Sequence, residues 1–395
     1  MMNMLVMNRS TNSALTSLTS CGDVVMEEET LLEISGKAKR AAERRFKSLG
    51  RYESITKSLQ SLPKIALKDL QLGKTLGRGH FGLVTEIRGV HGSGAPSDRH
   101  ASEGSPSKCH SSSGKDCSGK DCGGSANYVI KILDEQNCSD KKKFYIGVRD
   151  MAVEAHILSC LEHPHIVKIR AMSNEAFGSK HFFIVLDRLH ETLKDVLVAW
   201  RLRQQTLSQG LKRLVTPRTT RVKLNELMVK RLKVMRDLSS AIVHLHENNI
   251  IDRDLKPDNI GFDANGEVKL FDFGLSAAVD PSWSKPYKLT GKIGSLVYMA
   301  PEIHLCQRYD ESCDVYSLGL IFWKIISLQS SYPYMSPKLW RKCVINAGKR
   351  PLMDSSFSET MRTLINIMWN TNATERPSAK AVNWMLQREL LRYET

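Results

Sequence analysis

Between residues 27 and 62 apolar positions recur at helical spacing. Leu31, Leu32, Ile34, Ala41, Phe46 and Leu49 are interleaved with Lys and Arg, which predicts one amphipathic helix or a helical pair. Such a face reads as packed on a folded body, with membrane contact as the alternative. Residues 67–88 alternate apolar and polar around a glycine cluster, the signature of a β-hairpin. A strand pattern returns at 128–133, a helix at 144–161, and strands at 166–172 and 182–186. From residue 192 onward the spacing is helical, interrupted by short strands near Ile260 and over 268–270. Two stretches lack any such period. Residues 1–30, rich in Ser, Thr, Asn and Met, read as a disordered tail. Residues 89–127, rich in Gly, Ser, Lys and Cys with the repeated string GKDC, read as a flexible insertion.

A chain of 395 residues exceeds what a single hydrophobic core usually spans, so two packed units or one two-lobed domain are expected. Its 41% hydrophobic residues and 25 glycines exclude wholesale disorder and a collagenous fibre. No uninterrupted apolar run approaches the roughly 18 residues of a membrane-spanning helix. The apolar stretch at 4–7 is also too short for a signal-peptide core. The expectation is a soluble intracellular chain, cytoplasmic or nuclear. The nine cysteines are scattered singly except for Cys109, Cys117 and Cys122, and read as reduced thiols. No histidine pair or CxxC completes a zinc site around those three.

The formal net charge is +15, and its location matters more than its size. Between residues 198 and 233 stand ten Lys or Arg against one acid, Glu226, so this stretch supplies nine of the fifteen surplus charges. It reads as a local basic insertion at about 199–223, able to dock an acidic protein or an anionic lipid surface. Nucleic acid is not expected as a specific partner, because no aromatic stacking series or zinc-finger pattern accompanies the charge.

Gly77, Gly79 and Gly82 lie in LGRGHFGLV between two strand patterns, where bare backbone can approach phosphate oxygens. In a dinucleotide-binding fold these glycines would open a helix; here residues 83–87 alternate like a strand, which excludes that reading. Five further signals follow in order. Lys131 ends YVIK, Glu154 sits on the next helix, IDRDLKPDN occupies 251–259, DFG occupies 272–274 and APE occupies 300–302. In this set and order the sequence resembles the eukaryotic protein kinases of serine/threonine type. The wording KLTGKIGSLVYMAPE resembles their tyrosine-kinase-like group. DVYSLG at 314–319 and Arg376, which would pair with Glu302, agree with the resemblance.

The resemblance implies an α+β, bilobal kinase fold: a small antiparallel sheet with one main helix, then a larger, mostly helical lobe. It places the tail at 1–30, a helical extension at 31–66 and the kinase domain at 67–395, with lobes at 67–189 and 190–395. It implies ATP and Mg²⁺, and protein Ser or Thr hydroxyls as acceptors. Leu76, Gly77, Gly79, Gly82, Val84, Val129, Asp187 and Leu189 would surround the nucleotide. Lys131 would hold its phosphates, fixed by Glu154. Asn259 and Asp272 would supply oxygens to Mg²⁺, a hard cation. Asp254 would accept the hydroxyl proton, and Lys256 would reach the γ phosphate. Phosphate on the activation segment, for which Thr290 is the expected site, would pair with Arg253.

Four positions depart from the family pattern. Asp252 stands where a histidine usually supports the DFG phenylalanine, here Phe273, and must either accept backbone hydrogen bonds or solvate locally. Ser295 replaces a threonine and keeps the hydroxyl. Val129 replaces an alanine above the adenine, and Gly261 replaces a leucine below it, so volume gained above is expected to be released below. These departures leave a pseudokinase scaffold as the alternative to an active enzyme.

Overall fold

The computed structural model describes residues 28–47, 52–79, 82–91, 127–134, 136, 139–177, 179, 181–212, 217–354 and 357–394. The tail up to residue 27, most of the 89–127 insertion and its three cysteines lie outside the described residues. Among the described residues no helix is long and apolar enough to cross a membrane.

Two helices come first, α1 (Glu28–Lys47) and α2 (Tyr52–Ser61). The face that α1 buries is only partly the one the apolar spacing marks. Leu31, Ser35, Ala38, Ala42 and Phe46 point inward at spacings of three and four, while Leu32 is 57% exposed. Small residues at 38 and 42 let α1 lie close to its neighbour, and bulk returns only at Phe46.

A six-stranded sheet follows in the order β1-β5-β6-β4-β3-β2. Its strands are β1 (Lys64–Ile65), β2 (Leu70–Arg78), β3 (Gly82–Val90), β4 (Tyr128–Leu133), β5 (Ile169–Ser173) and β6 (Phe183–Asp187). All neighbours are antiparallel except β1 on β5. Helix α3 (Lys141–Cys160), capped at its N-terminus by the Asp140 carboxylate, connects β4 to β5 and packs between α1 and the sheet.

The second lobe is mainly helical: α4 (Leu193–Lys212), α5 (Pro217–Glu247), α6 (Pro301–His304), α7 (Ser312–Ser327), α8 (Pro337–Trp340), α9 (Glu359–Met368) and α10 (Ala379–Glu394). Short strands carry the loops between α5 and α6. They are β8 (Ile250–Ile251) paired with β11 (Ala277–Ala278), and β9 (Ile260–Phe262) paired with β10 (Val268–Leu270) and with β7 (Glu191–Thr192). The structure is thus the α+β, bilobal fold that the resemblance implies. Helix α7 reads CDVYSLGLIFW, apolar on nearly every side, and such a helix can only be central. Gly319 packs there against Met368, where an added Cβ would lie 3.0 Å from the methionine Cβ.

The basic stretch is not a free insertion. Among the described residues it belongs to α4 and α5, and two of its arginines are structural. Arg201 donates to the carbonyl of Leu328 at the C-terminus of α7. Arg231, 2% exposed, donates to Gln204 at 2.7 Å and lies over the Trp200 ring, with burial lowering its pKa to about 10. Arg203, Arg221, Lys223, Lys230 and Lys233 are exposed.

Arg376 forms two hydrogen bonds to Glu302, at 2.6 and 2.9 Å, with both side chains buried. Arg376→Ala would leave that carboxylate buried without its partner. It is expected to destabilise the fold by about 3–5 kcal/mol, read from urea unfolding.

Candidate active site

The site is a cleft between the lobes, and each lobe supplies part of it. In the hairpin, the Gly79 N–H donates to the Gly82 carbonyl at 2.8 Å. An added Cβ on Gly82 would lie 3.0 Å from the Ile132 carbonyl and 3.8 Å from Cγ of Lys131, so this backbone sits against the lysine stem. Gly77 has open space around it. Leu76 and Val84 flank it on β2 and β3, with Val84 opposite Lys131 in the β3–β4 ladder.

Lys131 lies in β4 between β3 and β6, with Val129 two residues before it on the same face. Its ammonium is 2.5 Å from Oε2 of Glu154 and 2.8 Å from Oδ1 of Asp272. Burial by itself lowers the lysine pKa, but the charges of Asp272 and Glu154 overcome it and hold the group above its ordinary range. Glu154 comes from the inner face of α3 and also accepts the Phe273 N–H. Asp272 is kept below the usual carboxylate range by the Lys131 charge, and its side chain is 42% exposed to the cleft.

Asp254, Lys256 and Asn259 form the second cluster. Oδ2 of Asp254 accepts from Nζ of Lys256 at 2.6 Å and from Nδ2 of Asn259 at 3.1 Å, and Oδ1 accepts from Oγ of Ser295 at 2.8 Å. Ser295 therefore does the work of a hydroxyl donor, and the methyl it lacks has no part in that bond. Gly294 makes the approach feasible: at φ 90 it lies so close to Arg253 that an added Cβ would be 2.2 Å from the Arg253 carbonyl oxygen. Because Asn259 donates both to Asp254 Oδ2 and, at 3.1 Å, to the Asp254 carbonyl, its own amide oxygen stays outside this network.

One carboxylate positions the loop. Asp314, fully buried on α7, accepts the N–H groups of Asp252 and Arg253, each at 2.9 Å, and Nε2 of His246 at 2.9 Å. The protein kinase domain family matches residues 112–385, more than half of the chain. The chain belongs to the protein kinase family. Among similar proteins, serine/threonine-protein kinase STY46 of Arabidopsis thaliana is 32% identical over 155 residues, which are 39% of this chain and 26% of that protein. Dual specificity protein kinase shkB of Dictyostelium discoideum is 37% identical over 147 residues, 37% of this chain and 22% of that one. Probable serine/threonine-protein kinase gdt4 of the same organism is 32% identical over 259 residues, 64% of this chain and 14% of that protein. The kinase thus aligns with about a quarter or less of these relatives' lengths.

Several expectations change at this site. Arg253 is not available to a phosphate: its guanidinium is buried and donates to the carbonyls of Leu275 and Ser276 and to the Tyr309 hydroxyl. Tyr309 in turn donates to the Thr290 carbonyl at 2.8 Å, so Arg253 reaches the Thr290 segment through neutral groups. Asp187 does not offer its side chain to a ligand, because Arg170 takes both carboxylate oxygens at 2.7 and 3.0 Å. Asp314 opens the string DVYSLG, which marked the helix without assigning the aspartate this role; it is an acid at the start of an otherwise apolar helix.

Asp252 takes the first of its two options. It is 3% exposed and accepts the Asp254 N–H at 3.0 Å. Burial, and next the Asp314 charge, push its carboxyl well above the ordinary range. The folded protein therefore holds a proton that the unfolded chain releases from about pH 4, so this group weakens the fold as pH rises toward its folded pKa. Asparagine keeps the accepting oxygen without the proton. Asp252→Asn should melt with the wild type near pH 4 and a few degrees above it at neutral pH, in scans across that range. A lower melting point at neutral pH would mean that Asp252 is ionised.

The space above Gly261 is not released to the nucleotide. An added Cβ would lie 2.7 Å from Cδ1 of Leu189 and 3.3 Å from the Phe271 ring, so Leu189 fills the missing side chain's place. The compensating partner of Gly261 is Leu189 and not Val129, which is buried between its ladder partners Glu86 and Leu186. Gly261→Leu should raise the KM for ATP roughly tenfold, the effect of overpacking by about 1–3 kcal/mol. Leu189→Ala should restore it, and Val129→Ala should not.

Proposed function

We propose that this kinase is an active, ATP-dependent serine/threonine protein kinase of intracellular signalling. The observation that carries the reading is the Lys131 ammonium bridging Glu154 and Asp272 beside an intact Asp254–Lys256–Asn259 cluster. Phosphoryl transfer demands positioning and charge neutralisation more than covalent help. Lys131, fixed as a cation by two carboxylates, would hold the α and β phosphates of ATP under the bare backbone at Gly77, Gly79 and Gly82. Leu76, Val84, Val129 and Leu189 would enclose the adenine, with the backbone at Asp187 and Leu189 along its edge.

Asp254 would orient the acceptor hydroxyl and take its proton, and Lys256 would neutralise charge on the transferred group. The Lys256 charge also reaches Asp272, which ties the two clusters into one field. Asp272, ionised and open to the cleft, and the amide oxygen of Asn259 are the hard donors that Mg²⁺ prefers, so the residues present fit that ion. When bound, Mg²⁺ supplies neutralisation of phosphate charge. Lys256 and the serine/threonine names of the relatives support hydroxyls of Ser or Thr as acceptors. The exposed bases of α4 and α5 would dock an acidic protein or anionic lipid surface apart from the chemistry.

Asp254→Asn tests the reading with a peptide substrate and labelled ATP. Turnover should fall by about a thousandfold, within the usual scale of a positioned base, while ATP affinity stays within a few fold. Turnover near the wild-type rate would overturn the assignment, and a wild-type protein that binds ATP without turnover would make it a scaffold.

A further inference from the structure

Helix α3 is held from both sides. Glu154 faces Lys131, and His156, two residues on, projects about 200° around the helix, toward α1. There its ring stacks on Phe46, with centroids 5.1 Å apart and planes 14° apart. The stack continues from His156 to Phe177 at 6.0 Å and from Phe177 to Phe182 at 4.3 Å, so it ends in the core of the upper lobe. The imidazole cannot swing freely, because Nδ1 is 2.6 Å from the Ala152 carbonyl oxygen one turn earlier. Ala38 and Ala42 on α1 and Ala152 and Ala155 on α3 are all fully buried. Small residues at these positions allow close helix approach and leave little freedom for α3 to slide.

The same helix α1 also touches β11. Strand β11 follows the DFG segment and pairs with β8, whose end leads directly into Asp252–Asp254. One helix outside the lobes' own layers therefore contacts both the element that carries Glu154 and the strand pair that leads into the Asp254 loop.

We propose that α1 is a built-in positioning element for phosphoryl transfer, with Phe46 the positioning residue that sets α3, through His156, at the height where Glu154 meets Lys131. The proposal rests on the kinase reading of the Lys131–Glu154 pair. Phe46 touches no substrate, so its effect must pass through Glu154. A residue that merely adds stability would lower activity independently of Glu154.

The test is a double-mutant cycle in the full chain, with kcat and KM for ATP measured on a peptide at a temperature where melting curves show every variant folded. Phe46→Ala and Glu154→Gln should each lower kcat/KM by roughly tenfold or more, and the double variant should be no worse than Glu154→Gln alone. Phe46→Trp, which keeps a stacking ring, should retain most of the activity. Phe46→Leu, which keeps apolar volume and loses the stack, covers the case in which the alanine variant does not fold, and should show the same non-additive loss. Multiplicative losses in the cycle, or wild-type turnover in Phe46→Leu, would overturn the proposal. Full activity in Glu154→Gln would overturn the kinase reading of the pair, and the proposal with it, which separates that failure from failure of Phe46 alone.

Discussion

Two backbone N–H groups, from Asp252 and Arg253, point at one buried carboxylate, and the cleft is arranged around that contact. Asp314 is fully buried, and its charge is met by these two donors and by His246. Hydrogen bonds to an ionised acceptor are the strong kind, and a buried carboxylate that lost them would cost several kcal/mol. The contact is therefore hard to give up. It holds Arg253 at φ 70, a conformation that non-glycine residues avoid, and so turns the chain to present Asp254 to the cleft. Because Asp314 stands on the most buried helix, the geometry of the Asp254 loop is referred to the core of the larger lobe.

The upper lobe meets this fixed point through charge. Lys131 is attached to the sheet, Glu154 to α3 and Asp272 to the segment after β10, and a single ammonium bridges the two carboxylates. A cation in this position draws the elements together only while all three are in register, since Coulomb attraction between partly buried groups falls off over a few ångströms in effect and desolvation opposes each member. The Phe273 N–H on Glu154 adds a directional bond between α3 and the DFG segment. Glu154 thus ties α3 both to the Lys131 strand and to the DFG segment.

Local strings in the sequence carried much of this. LGRGHFGLV supplies a backbone shape, while YVIK, DLKPDN and DFG add charges, and Lys131, Asp254, Lys256 and Asp272 converge in the structure. Contacts made by side chains from distant elements were not legible. Nothing in the sequence around Arg253 says that Leu275, Ser276 and Tyr309 will consume its donors, nor does Gly261 reveal that Leu189 leans over it. Periodicity found α1 and α2 but not the whole buried face of α1, because it weights leucine above alanine, whereas close helix packing selects Ala38 and Ala42 and leaves Leu32 outside. The basic stretch misled for a related reason: Arg201 and Arg231 have long apolar stems and planar heads, suited to capping carbonyls and covering Trp200.

The aspartate at 252 follows from the same electrostatics. Asp252, Asp254, Asp272 and Asp314 lie close enough that the last three all raise the first one's affinity for a proton. Lys131 and Lys256 offset Asp272 and Asp254, the backbone donors offset Asp314, and the Arg253 guanidinium is turned to the Leu275 and Ser276 carbonyls and the Tyr309 hydroxyl. A fourth negative charge is opposed by the other three. The acid at 252 is therefore pushed toward its neutral form, and in the loop it serves as a hydrogen-bond acceptor. In that form it can still brace the loop by receiving the Asp254 N–H, which keeps the fold compatible with a residue that differs from histidine in size, shape and charge.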